Sequence, residues 1–116
     1  MEVAFGMTIS AGDVPLPCTR GFAIVTPDNP FSCPTTVEEN IARRTAFRRT
    51  VSAAGRLSAL SEGHDPTGVW PVEHGLAVID ASDAELDRWM IQFGQNAVLE
   101  VPSNVPARLR LHPHAR

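Results

Sequence analysis

The sequence has few of the features that mark several common protein classes. Only 6% of its 116 residues are aromatic, Tyr is absent, and the two Cys residues, Cys18 and Cys33, do not form a C-x-x-C pair. A structural zinc site or a disulfide framework needs more Cys residues than this, at closer spacing. We therefore predict no metal site and two free thiols, with a Cys18–Cys33 disulfide as the alternative.

Long apolar segments and an amino-terminal signal are also missing. No apolar run approaches the roughly 18 residues that a membrane span requires. The first residues, Met1 to Val3, lack the basic segment that opens a secretory signal. We therefore expect a protein that does not associate with membranes and that lies in the cytoplasm.

Lysine is absent, so all ten basic residues are Arg, and 13 acidic residues give the chain a net charge of −3. Proteins that bind nucleic acid need surplus basic charge for their contacts with phosphates. Arg residues do cluster between Arg43 and Arg49, but Glu38 and Glu39 precede them. Because a charged helix face is usually just solvated, nucleic-acid binding is disfavoured.

What the sequence does contain fits one globular domain. Hydrophobic residues make up 43% and charged residues 20% of the chain, values typical of a folded domain. We divide the chain into an N-terminal arm or extra edge strand over residues 1–20, a single α+β domain over residues 21–112, and a C-terminal tail, predicted to be disordered, over residues 113–116.

A helix with well-marked ends is predicted between Ser82 and Gly94. Ser82 followed three residues later by Glu85 is typical of a capping box, and Gly94 can adopt the left-handed conformation that ends a helix. The chain then runs directly into a β-type segment at residues 97–101. The apolar stripe of this helix consists of Leu86, Trp89, Met90 and Phe93.

An earlier helix is predicted to begin near Thr36, where Glu39 completes a second capping-box pattern. At 100° per residue, Asn40, Arg44 and Arg48 fall within the same arc as the apolar residues of this helix. Polar groups on a packing face must find partners or face a cavity, unless the Arg side chains extend past the core edge to solvent. The apolar residues of that arc are Val37, Ile41, Phe47 and Val51.

The order of the predicted elements defines a fold class. The order β-α-β-β-α-β-β is that of a ferredoxin-like split βαβ sandwich, an α+β fold with a mostly antiparallel sheet and two helices on one face. With right-handed crossovers, the end of the first strand, the start of the first helix, the hairpin loop and the starts of the third and fourth strands meet at one sheet edge. The predicted strands cover residues 21–26, 57–62, 72–79, 97–101 and 107–112.

Polar residues without an obvious local role fall at this edge, and we predict a site there. Each of them also has a structural alternative, since residues of these types stabilise turns and satisfy buried backbone groups. The predicted ligand-binding residues are Asn29, Asn40, Arg44, Trp70, Glu73, Gln95 and Asn96, and the candidates for acid–base chemistry are Glu73, His74, His64 and Asp65.

Four short motifs follow one another along the chain: Asn29-Pro30, Glu39-Asn40 followed by Arg43, Trp70-Pro71-x-Glu73, and Phe93-Gly94-Gln95-Asn96-Ala97-Val98. In this order and spacing, the segment from about Gly21 to Val101 resembles a bacterial and phage domain family of unknown function. Arg44 departs from the pattern, because family members often have a smaller polar residue there. The resemblance implies no activity, but it implies a shared site at Asn29, Asn40, Trp70, Glu73 and Gln95.

Two functions of different classes fit these observations. The first is a non-catalytic ligand- or protein-binding or regulatory module, such as an accessory protein of a bacterium or its phage, because no nucleophile elbow, phosphate-binding loop or H-E-x-x-H motif occurs. The alternative is a small hydrolase-like enzyme acting on a phosphate- or carboxylate-bearing substrate, with Glu73 or His74 as general base. His64 and Asp65 would then supply the acid, and Arg44 would hold the anion. No cofactor is predicted, and the chain is expected to be a monomer or a homodimer.

Overall fold

The structure is a computed structural model, and it describes residues 2–3, 7–11, 20–69 and 71–116. The strands are β1 Glu2–Val3, β2 Met7–Ala11, β3 Gly21–Val25, β4 Ser58–His64, β5 Glu73–Ile79, β6 Ala97–Pro102 and β7 Arg108–Leu111. The helices are α1 Val37–Ala53 and α2 Asp83–Phe93, with 3₁₀ turns at Pro30–Ser32 and Pro113–Ala115. Neither helix of this part of the chain combines the length and the apolar character that a bilayer crossing demands.

The strands form one antiparallel sheet in the order β1-β2-β4-β5-β3-β6-β7. Its central strands, β4, β5, β3 and β6, follow the order of a ferredoxin-like split βαβ sandwich, so the predicted α+β fold class is confirmed. β7 adds a strand beyond β6, and β2 pairs with β4 on the opposite side. The turn between β4 and β5 closes as predicted, because the Gly68 N–H donates to the Asp65 carbonyl at 3.0 Å.

Both helices pack on one face of the sheet and bury the larger core there. Phe47 of α1 contacts two aromatic rings of α2 edge-on, with centroid distances of 5.6 Å to Trp89 and 5.1 Å to Phe93. The opposite face of the sheet has a smaller buried cluster around Ala77. The strand residues that complete the larger core are Ala23, Val25, Leu76, Val78 and Val98.

Helix α2 has the ends that the sequence predicts. The Ser82 hydroxyl accepts from the Glu85 N–H at 3.1 Å, and the Glu85 carboxylate accepts from the Ser82 N–H at 2.9 Å, which completes the capping box. Arg56 donates to the same carboxylate at 2.9 Å. Gly94 ends the helix in the left-handed conformation, with φ of 64°.

The packing face of α1 differs from the one that its apolar pattern predicts. Phe47 and Val51 are buried as expected, but Val37 is 70% exposed and Ile41 is 53% exposed. The prediction was wrong for these two residues because the first half of the helix lies against the polar loop that follows β3. The inward positions there belong to Asn40, Arg43 and Arg44.

The C-terminal tail, for which the sequence predicts disorder, is ordered. His112 is buried, and its ring lies 5.9 Å from the ring of Phe31 and 5.0 Å from that of His114. Arg116 pairs with Asp87 of α2. The prediction of disorder was wrong because it rested on the lack of a local motif, whereas these contacts join the tail to distant residues.

Candidate functional site

The sheet edge at which the polar residues are predicted to meet collects the expected elements. The register places Val25, at the end of β3, beside Leu76 near the start of β5, and Ile24 beside Leu99 near the start of β6. β4 ends at the same edge. Trp70 lies outside the described residues. The other predicted site residues lie along this edge or on the adjoining half of α1.

Asn29 and Asn40 bind each other across the loop that follows β3. The Asn29 N–H donates to Asn40 Oδ1 at 3.0 Å, and Asn40 Nδ2 donates to Asn29 Oδ1 at 3.0 Å. Asn29 Oδ1 also accepts from the Thr35 N–H at 3.2 Å, which holds Asn29 in a left-handed conformation with φ of 49°. Asn96 similarly donates to the Ser32 hydroxyl at 3.1 Å. The structure therefore explains these Asn side chains without a ligand.

Arg43 and Gln95 join the same loop to the turn between α2 and β6. Arg43 Nε donates to the Pro27 carbonyl at 2.6 Å, and its Nη2 donates to the Phe93 carbonyl. Gln95 Nε2 donates to the carbonyls of Asp28 and Phe93, both at 3.1 Å. Both side chains thus satisfy backbone groups of two separate loops, a structural role.

Asp28 and Arg44 form a paired charge beneath this loop. The Asp28 side chain accepts from Arg44 Nε at 2.8 Å and from Nη2 at 2.6 Å, although Asp28 is only 4% exposed. The hydrogen bond to Asp28 raises the pKa of Arg44. Asp28 was not predicted from the sequence, because Pro-Asp-Asn-Pro is also a common turn sequence.

Glu73 lies close enough to this pair for the charge of Asp28 to affect its pKa. The residue is exposed overall, but the protein around its carboxyl raises the pKa of Glu73, and the negative charge of Asp28 raises it further. No side chain in the described part of the chain forms a hydrogen bond or an ion pair with Glu73. A carboxyl with a raised pKa and no partner is suited to accept or donate a proton.

Glu62 lies between the two predicted His residues and was also not predicted from the sequence. His64 Nε2 is 3.0 Å from one Glu62 oxygen, and His74 Nδ1 is 3.8 Å from the other. The alternating strand pattern could have found it, since Glu62 and His74 are cross-strand partners. Asp65 instead serves its own turn, accepting from the Thr67 N–H at 2.9 Å and the Thr67 hydroxyl at 2.7 Å.

A groove between α1 and the β4–β5 hairpin brings several of these side chains together. Its volume is about 220 Å³. Gly75 lies at its base, where a Cβ would come within 2.3 Å of the Val25 carbonyl oxygen, so only Gly lets β5 approach β3 so closely. The groove is lined by Pro27, Arg44, Phe47, Arg48, Leu60, Ser61, Glu62, His74, Gly75 and Leu76.

A larger cavity of about 480 Å³ lies at the opposite sheet edge, beside the start of α2. Most of its polar side chains already have protein partners in the described part of the chain, and Arg20 is the exception. Asp80 accepts from the Arg20 N–H at 2.7 Å, Ser82 belongs to the capping box, and Glu100 accepts from Arg108 at 2.8 Å. The smaller groove is therefore the better candidate site, despite its size.

Metal ligation is not supported by the geometry of the described residues. No group of three or more His, Cys, Asp or Glu side chains among them could hold a metal ion. Cys33 is a free, exposed thiol. Cys18 lies outside the described residues.

The fold and the groove define a small α+β domain with a split βαβ core and a polar groove beside its first helix. The family described as Protein of unknown function (DUF3293) matches residues 25–98, and the chain belongs to this family. The predicted membership in a domain family of unknown function is thus confirmed. Comparisons with curated proteins and with solved structures gave no significant match.

Proposed function

We propose that the protein is a non-catalytic binding module that takes a small polar ligand in the groove between α1 and the β4–β5 hairpin. The observation that supports this most directly is the position of Arg48. Its side chain lines the groove and is exposed, and within the described part of the chain it forms no ion pair or hydrogen bond. An unpartnered guanidinium in a groove is suited to bind carboxylate or phosphate.

The size of the groove limits the ligand. Binding pockets for drug-sized molecules usually measure about 300–1,000 Å³, whereas this groove has about 220 Å³. That volume corresponds to roughly seven water molecules at about 30 Å³ each, so the ligand has on the order of ten non-hydrogen atoms. A peptide or a nucleic acid strand would contact this groove with only one of its units.

The proposal includes the biological setting that the sequence suggests. We place the module in the cytoplasm, as a monomer or homodimer and as an accessory protein of a bacterium or its phage. Among the predicted ligand-binding residues, Arg44 lines the groove and Glu73 immediately precedes the groove residue His74.

The proposal is tested by NMR titration of isotope-labelled protein with a library of fragments of about ten non-hydrogen atoms or fewer. We expect the amides of Glu62, His74 and Gly75 to shift with anionic fragments. Arg48→Glu should weaken that binding about tenfold or more. Arg49→Glu is the matched control, because it makes the same charge change one residue further along α1, outside the groove. Equal losses in the two variants, or shifts confined to other surfaces, would contradict the proposal.

A second candidate function is a small hydrolase-like enzyme acting on a phosphate- or carboxylate-bearing substrate, with Glu73 or His74 as base. Two observations favour it: the raised pKa of Glu73 and the contact of 3.0 Å between Glu62 and His64. Turnover assays with phosphomonoesters and carboxylic esters distinguish this function from simple binding.

A further inference from the structure

The groove between α1 and the β4–β5 hairpin has opposite charges on its two walls. Arg48 lines the α1 wall, and Glu62 lines the hairpin wall. In the described part of the chain these two groups do not pair with each other. Glu62 contacts His64 and His74 instead, and imidazoles are charged only when protonated. The groove therefore holds a cation and an anion apart.

Arg44 is the second cation in the groove, and it does not change this separation of charges. Arg44 donates two hydrogen bonds to Asp28, at 2.8 and 2.6 Å, so a buried carboxylate already balances its charge. Arg48 is thus the cation with which an anionic ligand group would pair. On the other wall, Glu62 is the lining carboxylate that an ammonium group would meet.

Apolar side chains also line the groove between the two walls. Phe47 and Leu76 are buried beneath it, and Leu60 lies exposed at its margin. An apolar base between opposite charges fits a short methylene chain with an acid at one end and an amine at the other. We infer that the ligand is a small carboxylate–ammonium zwitterion, with its carboxylate on Arg48 and its ammonium on Glu62. This inference rests on the proposed function and specifies the ligand class.

The inference is tested by isothermal titration calorimetry of the full-length protein with matched probes. The zwitterions are β-alanine, γ-aminobutyrate and ε-aminocaproate, which differ in the length of their methylene chain. Butyrate and butylamine each carry one of the two charges, and aminoethyl phosphate tests whether phosphate replaces carboxylate. We expect the best carboxylate zwitterion to bind about tenfold or more tightly than butyrate or butylamine, because it pairs at both walls.

Two variants test the contacts of the two ends of the ligand separately. Glu62→Gln should reduce the affinity for the zwitterion to that for butyrate and leave butyrate binding unchanged. Arg48→Gln should reduce it to the affinity for butylamine. Both side chains are at least partly exposed, so neither change disturbs the core. Arg49→Gln and Glu38→Gln, exposed residues of α1 outside the groove, should leave all affinities unchanged.

The outcomes distinguish this inference from the function on which it rests. If zwitterions bind no more tightly than butyrate while Arg48→Gln still weakens butyrate binding, the inference fails and the binding site stands. If aminoethyl phosphate binds more tightly than every carboxylate probe, the assignment of a carboxylate is overturned. If neither these probes nor the fragments bind in the groove, the inference and the proposed function both fail.

Discussion

Asp28 sets the charge pattern beside the candidate site, although its own side chain is almost inaccessible to solvent. Both of its oxygens accept from Arg44, and its negative charge contributes to the raised pKa of Glu73. A buried carboxylate is tolerated when it is paired and hydrogen-bonded, as here. The charge of this one residue therefore acts on a cation of α1 and on an acid at the start of β5.

The raised pKa of Glu73 predicts how one substitution changes the stability of the protein with pH. The unfolded chain releases the proton of Glu73 near its ordinary pKa of 4.5, and the folded protein releases it only at higher pH. As the pH rises above 4.5, ionisation thus favours the unfolded state and the free energy of unfolding falls. Glu73→Gln removes this loss, so the variant should be more stable than the wild type at pH 7.

Urea unfolding at several pH values measures this effect. The advantage of Glu73→Gln should shrink as the pH falls toward 4.5 and disappear below it, where the carboxyl is protonated in both states. Glu38→Gln, an exposed residue in the first turn of α1, provides the control. A stability difference for Glu73→Gln that is the same at every pH would show that the carboxyl does not titrate as described.

At the scale of single residues, the sequence predicted where several polar residues lie better than what their side chains contact. Asn29, Asn40 and Gln95 do lie at the predicted edge, because chain order and crossover handedness determine where they fall. Their hydrogen bonds to one another and to backbone carbonyls could not be predicted, since those depend on loop geometry. Glu62 and Asp28 were missed because a strand pattern and a turn pattern already accounted for them.

Among the elements, α1 departs furthest from its sequence pattern. Its capping residue was predicted correctly, since the Thr36 hydroxyl accepts from the Glu39 N–H at 3.1 Å. The Glu39 side chain, however, accepts from the Thr35 hydroxyl at 2.7 Å rather than completing a capping box. The inward face could not be predicted from apolar spacing, because the first half of α1 packs on hydrogen-bonding groups.

This arrangement predicts that a polar residue of α1 matters more for stability than its apolar neighbour. Asn40→Ala removes two hydrogen bonds to Asn29 and should lower the free energy of unfolding by about 1–3 kcal/mol. Ile41→Ala should change it by no more than about 0.5 kcal/mol, because Ile41 is largely exposed and Ala favours helix.

Urea unfolding of both α1 variants at neutral pH provides the comparison, and Asn40→Ala should still bind fragments in the groove. A loss of about 2–5 kcal/mol for Ile41→Ala is the cost of truncating a core residue. Such a loss would show that Ile41 packs in the core, as the apolar pattern predicts.

For the whole molecule, the order of the strands along the chain could be predicted. The existence of the last strand could also be predicted, but the side-chain contacts that attach it could not. Alternation in residues 107–112 predicted β7, and register then places Arg108 and Arg110 on the same side of that strand. The partners of Arg110 come from two other elements: Asp83 and Asp87 of α2 and Glu100 of β6. Contacts between residues so distant in the chain leave no periodic signal, which is why the ordered tail was missed.

Arg110 is therefore expected to stabilise the fold much more than Arg108. Arg110→Gln removes a side chain that is 18% exposed and pairs with three carboxylates, and it should cost about 2 kcal/mol. Arg108→Gln removes a side chain that is 62% exposed and that, among the described residues, pairs only with Glu100, so it should cost less than about 1 kcal/mol.

Urea unfolding at low and high salt checks this order. The loss in Arg110→Gln should persist at high salt, because partly buried pairs are screened less than exposed ones. Equal losses in the two variants would show that the ion pairs of α2 with β7 do not hold the last strand.

The double hydrogen bond of Arg43 has a consequence for motion at the candidate site. One guanidinium closes both the connection after β3, through the Pro27 carbonyl, and the connection after α2, through the Phe93 carbonyl. Gln95 bridges the same two connections through the Asp28 and Phe93 carbonyls, so neither connection can lift away without breaking contacts to the other. We therefore expect local opening at this end of the molecule to involve both segments together, although they lie some 65 positions apart in the chain.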